Sequence, residues 1–295
     1  MYDARGKSSD QSGLFFGILI IAVVGLAFFG VLMMPQKSDA ANIAADETNQ
    51  SNVELLAALD DRSTQTYVAT LNRLSPRSAQ RLEKDVSRAI KNGANKDELA
   101  DLVMQSVMTE LISNSQHLAR ADVKHLDALL NLSESGLRTM SRSNSKWCKG
   151  AHYERLIGSS PQAMQYMVQE NFGYSSPAYD WGIQFNTVML EAIADSKANP
   201  QTYGKITSAD ERRLQRLAMT LVSNPEIMKL AAIQGGNKAA TQRAIRGLNF
   251  CSLAVTGIDA VQGLPKDTRG RLWAEGFRQM DNGELEKAMS QMNAF

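Results

Sequence analysis

One uninterrupted apolar run, "LFFGILIIAVVGLAFFGVLMM" at residues 14–34, constrains this chain more than any other feature. Its 21 residues carry no charge. At about 1.5 Å per helical residue, such a run matches a hydrocarbon core of ~30 Å. Cleavable secretory signals start with a cationic segment and hold an apolar stretch of about 7 to 15 residues. Here the stretch is longer, and the leader "MYDARGKSSDQSG" sets Arg5 and Lys7 against Asp3 and Asp10. The expectation is an uncleaved, single-pass transmembrane helix, a signal anchor. Arg5 and Lys7 on the leader side outweigh Lys37 beyond the span, so the positive-inside bias keeps residues 1–13 cytoplasmic and the C-terminal bulk extracytoplasmic. Ser38-Asp39-Ala40, after Pro35, is a small-x-small site. A cleaved, secreted form beginning at Ala41 is therefore the alternative. Gly13 and Gly17 make a G-x-x-x-G at the membrane edge, read as glycine tolerated in lipid rather than as a dimer seam.

Beyond the span, residues 35–52 ("PQKSDAANIAADETNQSN") hold Ile43 as their one large apolar residue and read as a flexible tether. From Val53 onward helix punctuation recurs. Ser75-Pro76, Ser160-Pro161 and Asn224-Pro225 each set a capping residue before a first-turn proline, and Ser208 to Glu211 has the form of a capping box. These signals, with Asn-Gly and Gly-Gly stops, predict helices at 53–74, 76–92, 96–131, 134–142, 151–157, 161–171, 178–198, 208–223, 225–234, 238–262, 267–280 and 284–293. Leu214, Leu217, Ala218, Leu221 and Val222 keep the spacing of one buried helical face, as do Trp181, Phe185, Val188, Met189 and Ala192. Ile183, Leu190 and Ile193 give the 178–198 helix a second apolar face, which places it near the bundle centre. No segment reads as a strand. The predicted fold class is all-α: one N-terminal transmembrane helix, then a multi-helix globular bundle over residues 53–295, long enough for a single core.

The net charge of +1 leaves no whole-chain field that would gather nucleic acid, so no nucleic-acid partner is expected. Arg212, Arg213 and Arg216 lie among acids and read as a solvated helix face. No phosphate loop or cofactor fingerprint occurs, and no cofactor is expected. No metal site is expected either, because three His and two Cys show no ligand pairing. His117 and His125 fall on one predicted helix about 12 Å apart along its axis, too far to share an ion. His125 shares a face with Leu118, Leu126 and Leu129 and reads as a hydrogen-bonded histidine at the core edge.

Cys251 sits in the apolar stripe Ala244, Leu248, Cys251, Val255, Ile258, whereas Cys148 lies in a polar loop whose apolar anchor is Trp147. In an oxidising compartment the default for these two cysteines is one disulfide, Cys148 to Cys251. A nucleophilic Cys148 with His152 four residues on is the alternative.

Two stretches have the residues of a site. "ALLNLSESGLRTM" places Glu134 after Leu129, Leu130 and Leu132, where an apolar pocket would hold its acid protonated. The Glu-Ser after an apolar helix resembles the opening of the lytic transglycosylase motif, whose glutamate acts on peptidoglycan strands. The Gly-Leu-Met-Gln-like and Ala-Tyr-Asn-like segments of that family are missing here. Ser133 as an N-cap and Glu134 in a first helical turn give the structural account of the same residues. "ENFGYSSPAYDWG" (170–182) gathers Phe172, Tyr174, Tyr179 and Asp180, which can anchor a partner or stack on a sugar. With its aromatics turned inward, it is instead a loop pinned to its helices. The function expected is a membrane-tethered helical interaction or scaffold module of a bacterial-type cell envelope (periplasm). It binds a protein partner and contacts the membrane through residues 14–34. The alternative is a peptidoglycan-cleaving enzyme that uses Glu134.

A reporter fused after Phe295 is expected to be active on the exported side, with the leader retained. N-terminal sequencing of the mature protein that begins at Ala41 would replace the anchor by a cleaved signal.

Overall fold

The computed structural model describes residues 58–154, 173–231 and 238–281. The leader, the apolar run and the tether lie outside the described residues, as do the predicted helices 161–171 and 284–293. In chain order the helices are α1 (Arg62–Leu74), α2 (Pro76–Lys91), α3 (Lys96–Leu118), α4 (Val123–Arg142), a 3-10 turn (Lys146–Cys148) and α5 (Gly150–Glu154). Then come α6 (Pro177–Ala198), α7 (Ser208–Val222), α8 (Pro225–Ala231), α9 (Lys238–Arg246), α10 (Phe250–Gln262) and α11 (Lys266–Asp281). Among the described residues no strand forms, and the one extended pairing is an isolated bridge between Lys149 and Asn249. The body is all-helical, as the punctuation and periodicity predict. Among the described residues no helix is long and apolar enough to cross a membrane.

Helix α6 is the axis of the core and packs against α1, α3 and α4. Its most buried face is Tyr179, Ile183, Asn186, Leu190 and Ile193. The stripe of Trp181, Phe185 and Val188 lies at the half-buried flank, where the Trp181 indole occupies the space a side chain at Gly136 of α4 would need. Met189 and Ala192 of that same predicted stripe are fully buried, so both apolar faces of α6 reach the core. Helix α11 closes the opposite side against α3 and α4. Its Trp273 indole donates to the Leu118 carbonyl (2.6 Å) and satisfies one of the orphan acceptors at the end of α3. Tyr203 fills the notch left by Gly270 while its hydroxyl accepts from the Val123 amide (2.9 Å) at the start of α4.

Four predicted boundaries move. The 53–74 helix is broken at Leu59–Asp61, and α1 starts at Arg62 because the Asp61 side chain caps Thr64 (2.7 Å). The 96–131 helix divides at 119–122, where Asp122 caps α4, so His117 and His125 sit on different helices. That division makes Ser133 and Glu134 interior residues of α4, not a cap and a first turn. The 238–262 helix divides at 247–249, where Asn249 caps α10 by accepting from Ser252. The capping box of α7 is shifted by one residue: Thr207 and Asp210 form it, instead of Ser208 and Glu211. The expected stripe of α7 does pack inward: Leu214 is buried beside Leu264 and Leu272, with Leu217 packed against them, and Leu221 is also buried.

Asp210 locks α7 to α11. Its carboxylate is fully buried, accepts from Arg271 Nε (2.7 Å) and Nη2 (2.9 Å) and from Thr268 Oγ1 (2.7 Å), and completes the cap at Thr207. The Arg271 guanidinium first, and the hydroxyl donors next, hold this carboxyl far below the ordinary range despite burial. A carboxyl depressed in the folded state stabilises above its unfolded value of about 3.9, and that stability falls away as pH drops below it. Asp210→Asn is expected to cost about 2–4 kcal/mol by stranding Arg271. Urea denaturation at pH 7 should show that loss, and the gap to wild type should narrow below about pH 4.

Candidate interaction surfaces

The loop 173–176 enters a place where three helix N-termini converge, those of α1, α3 and α6. Each is capped from within: Asp61 on α1, Asn95 with Glu98 as a full box on α3, and Ser176 on α6. Converging positive dipole ends favour carboxylates, and Asp60, Asp61 and Asp97 supply them. Tyr174 threads this cluster. Its amide donates to Asp97 Oδ1 (2.7 Å), its hydroxyl donates to Asp60 Oδ1 (2.6 Å), and that hydroxyl accepts from the Asp61 amide (3.1 Å). Lys96 donates to the same Asp60 oxygen (2.8 Å) while lying 5.0 Å above the Tyr174 ring. The turn needs a left-handed residue, Ser175 at φ 60°, a conformation that carries a modest backbone cost outside glycine. Bonds from Lys96 and then Tyr174 draw the Asp60 carboxyl down to about 2.

Tyr179, by contrast, is wholly buried, and its hydroxyl shares a 2.7 Å hydrogen bond with Thr64 Oγ1 of α1. The two tyrosine rings lie 6.0 Å apart. Of the four residues singled out in this stretch, Tyr174 and Tyr179 therefore meet in one cluster and turn inward as a clamp between helices. Asp180 is half-buried in the first turn of α6, and Phe172 lies outside the described residues. The partners Asp60 and Asp61 fall inside the predicted 53–74 helix and Asp97 inside the predicted 96–131 helix, so neither prediction brings them to Tyr174. The Asp-Arg-Ser-Thr order at 61–64, an N-cap followed by a hydroxyl at the third position, was the available signal.

Glu134 occupies the outer side of α4, 26% exposed in its side chain. It accepts from Arg138 Nε at 2.7 Å, one turn on, and Arg138 reaches Asp259 of α10 at 3.6 Å. This is a surface ion-pair chain, a setting unlike the apolar pocket that keeps a carboxylic acid protonated. At the far end of α6, His125 Nε2 and Lys124 Nζ both lie 2.8 Å from Asp195 Oδ2. Lys124 and then His125 lower the Asp195 carboxyl to about 2. The histidine at the core edge is hydrogen-bonded, as its apolar neighbours imply, and it ties α4 to α6. Among the described residues no group of three or more His, Cys, Asp or Glu is placed to hold a metal ion.

Cys148 and Cys251 form a disulfide, with Cα atoms 4.8 Å apart and both side chains buried. The loop around Cys148 is better anchored than its sequence implied. Tyr153 packs on Phe250 (ring centroids 4.5 Å apart) and donates its hydroxyl to the Trp147 carbonyl (2.9 Å). Trp147 in turn packs beside His152 at 5.8 Å. Next to the disulfide, the Gly150 amide donates to the Leu248 carbonyl (2.8 Å), and any side chain at Gly150 would strike the Ile245 carbonyl. With its sulfur in the bond, Cys148 has no thiolate to offer, which overturns the nucleophile alternative.

No protein-family model matches the chain, and no curated protein or solved structure matches it either.

Cys148→Ser and Cys251→Ser are each expected to lower stability by up to roughly 4–5 kcal/mol, the chain-entropy value for a loop of this length. The double variant should lose no more than either single one, because both remove one bond. Thermal denaturation of the three variants, read by far-UV circular dichroism, measures this.

Proposed function

We propose that the chain is a membrane-tethered helical binding module of a bacterial-type cell envelope. Residues 14–34 cross the membrane, residues 1–13 remain on the cytoplasmic side, and the helical body acts outside it by holding a protein partner. The observation that carries this reading is the Cys148–Cys251 disulfide inside the helical body of a chain that begins with a membrane-length apolar run. Such bonds persist in oxidising compartments, and the run supplies a route to one.

The disposition of the polar residues supports binding over chemistry. The carboxylates of Glu134, Asp60, Asp195 and Asp210 are each engaged by a cation of the same body. Large apolar side chains stand exposed at Ile112 on α3, Met219 on α7 and Met228 on α8, at 65%, 77% and 59%. Methionine on a surface suits an adaptable protein contact.

The test is site-specific photocrosslinking in native membranes from Ile112, Met219 and Met228, with the apolar run intact. A discrete protein adduct from at least one position is expected, whereas none from all three would count against a protein partner on these helices. In parallel, purified peptidoglycan incubated with the protein should release no soluble fragments. Release that Glu134→Gln abolishes would replace the binding reading by glycan cleavage.

A further inference from the structure

Helix α2 carries Arg77, Arg81, Lys84, Arg88 and Lys91, all exposed. At 100° per residue these five cations fall within a sector of about 80°, along roughly 21 Å of helix. The residues α2 buries, Ala79, Leu82, Glu83 and Val86, lie on the opposite side, where the helix packs against α1 and α3. The stripe thus faces directly away from the core. Few anions answer it. Glu83 is buried at 2% exposure and contributes little to the outer field. Asp85 flanks the stripe and pairs with Arg88 at 3.6 Å. Among the described residues no carboxylate pairs with Arg77, Arg81 or Lys91. The near-zero net charge of the whole chain hides this segregation.

We propose that the outer face of α2 docks on an anionic phospholipid surface. The inference rests on the reading that residues 14–34 anchor the chain in a membrane. Two features single out a bilayer as the occupant. A row of cations about 21 Å long on a straight helix presents a linear, convex edge that meets a plane of anionic headgroups without a fitted groove. Only 23 residues separate Met34 from Ala58, the first described residue of the body. A flexible chain of that length would span about 26 Å, which would hold α2 within reach of the membrane at high effective concentration. Each Lys or Arg near an anionic surface contributes roughly a fivefold factor to the docking equilibrium, screened by salt.

The full-length protein, labelled with a fluorophore at Gln80→Cys beside the stripe, would be reconstituted into vesicles. One set holds phosphatidylcholine with phosphatidylglycerol, the other phosphatidylcholine alone, both with a headgroup nitroxide quencher. Quenching is expected on the anionic vesicles, with loss at 0.5 M salt, and little on the neutral ones. Replacing Arg77, Arg81 and Lys91 by Gln should weaken docking by about two orders of magnitude, with the far-UV spectrum unchanged. The salt titration of the unsubstituted stripe needs no variant that must fold. Equal quenching on both vesicles, or none on either, would overturn the proposal. So would capture of a soluble polyanion such as heparin by α2 with no quenching on the anionic bilayer. Resistance of the chain to carbonate extraction reads the anchor separately, so that failure of α2 docking and failure of the membrane reading give different results.

Discussion

The body is organised by the burial of α6 against three neighbours at once. Three buried polar residues of this enclosed helix bond within it: Asn186 donates to the Gly182 carbonyl, Thr187 to Ile183 and Ser196 to Ile193. Those donors make no demand on the neighbouring helices, so over the middle of α6 shape complementarity governs how α1, α3 and α4 close around it. What fixes α6 along its axis lies at its ends. The tyrosine clamp binds its first turn to α1 and α3, and Asp195 binds its last turns to Lys124 and His125 of α4.

Helix content was legible from the chain because caps and apolar periodicity act within a few residues. What could not be read was where a long periodic run stops when its stop is made by tertiary contacts. Residues 96–131 carry apolar positions throughout, yet the chain turns at 119–122 because Asp122 caps α4 and the exposed carbonyls find distant donors: Trp273 at Leu118 and the Gln201 amide at Arg120. These partners lie 155 and about 80 residues away, beyond any local window. The same holds at 247–249, where Gly150 must approach the Leu248 carbonyl. The inward role of Tyr179 follows its place on the buried face of α6, while the role of Tyr174 depends on Asp60 and Asp97 and left no local trace.

Charge shows the same division between sum and arrangement. The chain is nearly neutral, yet its acids gather where helix N-termini meet and its bases line the outside of α2. The first grouping is structural: Asp61 and Asp97 accept from backbone amides, and Asp60 accepts from the Tyr174 hydroxyl and Lys96, beside positive dipole ends. Asp60, bonded by Lys96 and Tyr174, is held ionised, the opposite of the protonated state a general acid requires. Arg77, Arg81 and Lys91 of α2 stand exposed on its outer face, and their field extends into solvent.

The disulfide belongs with these arrangements and does not create them. It lies beside a contact already specified by non-covalent groups: the Lys149–Asn249 bridge, the Gly150 amide on the Leu248 carbonyl, and Tyr153 on Phe250. These contacts and the bond hold the same two segments together, and in the chain-entropy account the bond acts by removing open conformations from the unfolded chain. The segment it closes, from 148 to 251, contains α6 and α7, whereas Thr268 and Arg271, which hold Asp210 of α7, lie beyond it on α11. One covalent link therefore encloses the central helix, and its effect on the unfolded state is spread over the elements that fold around α6.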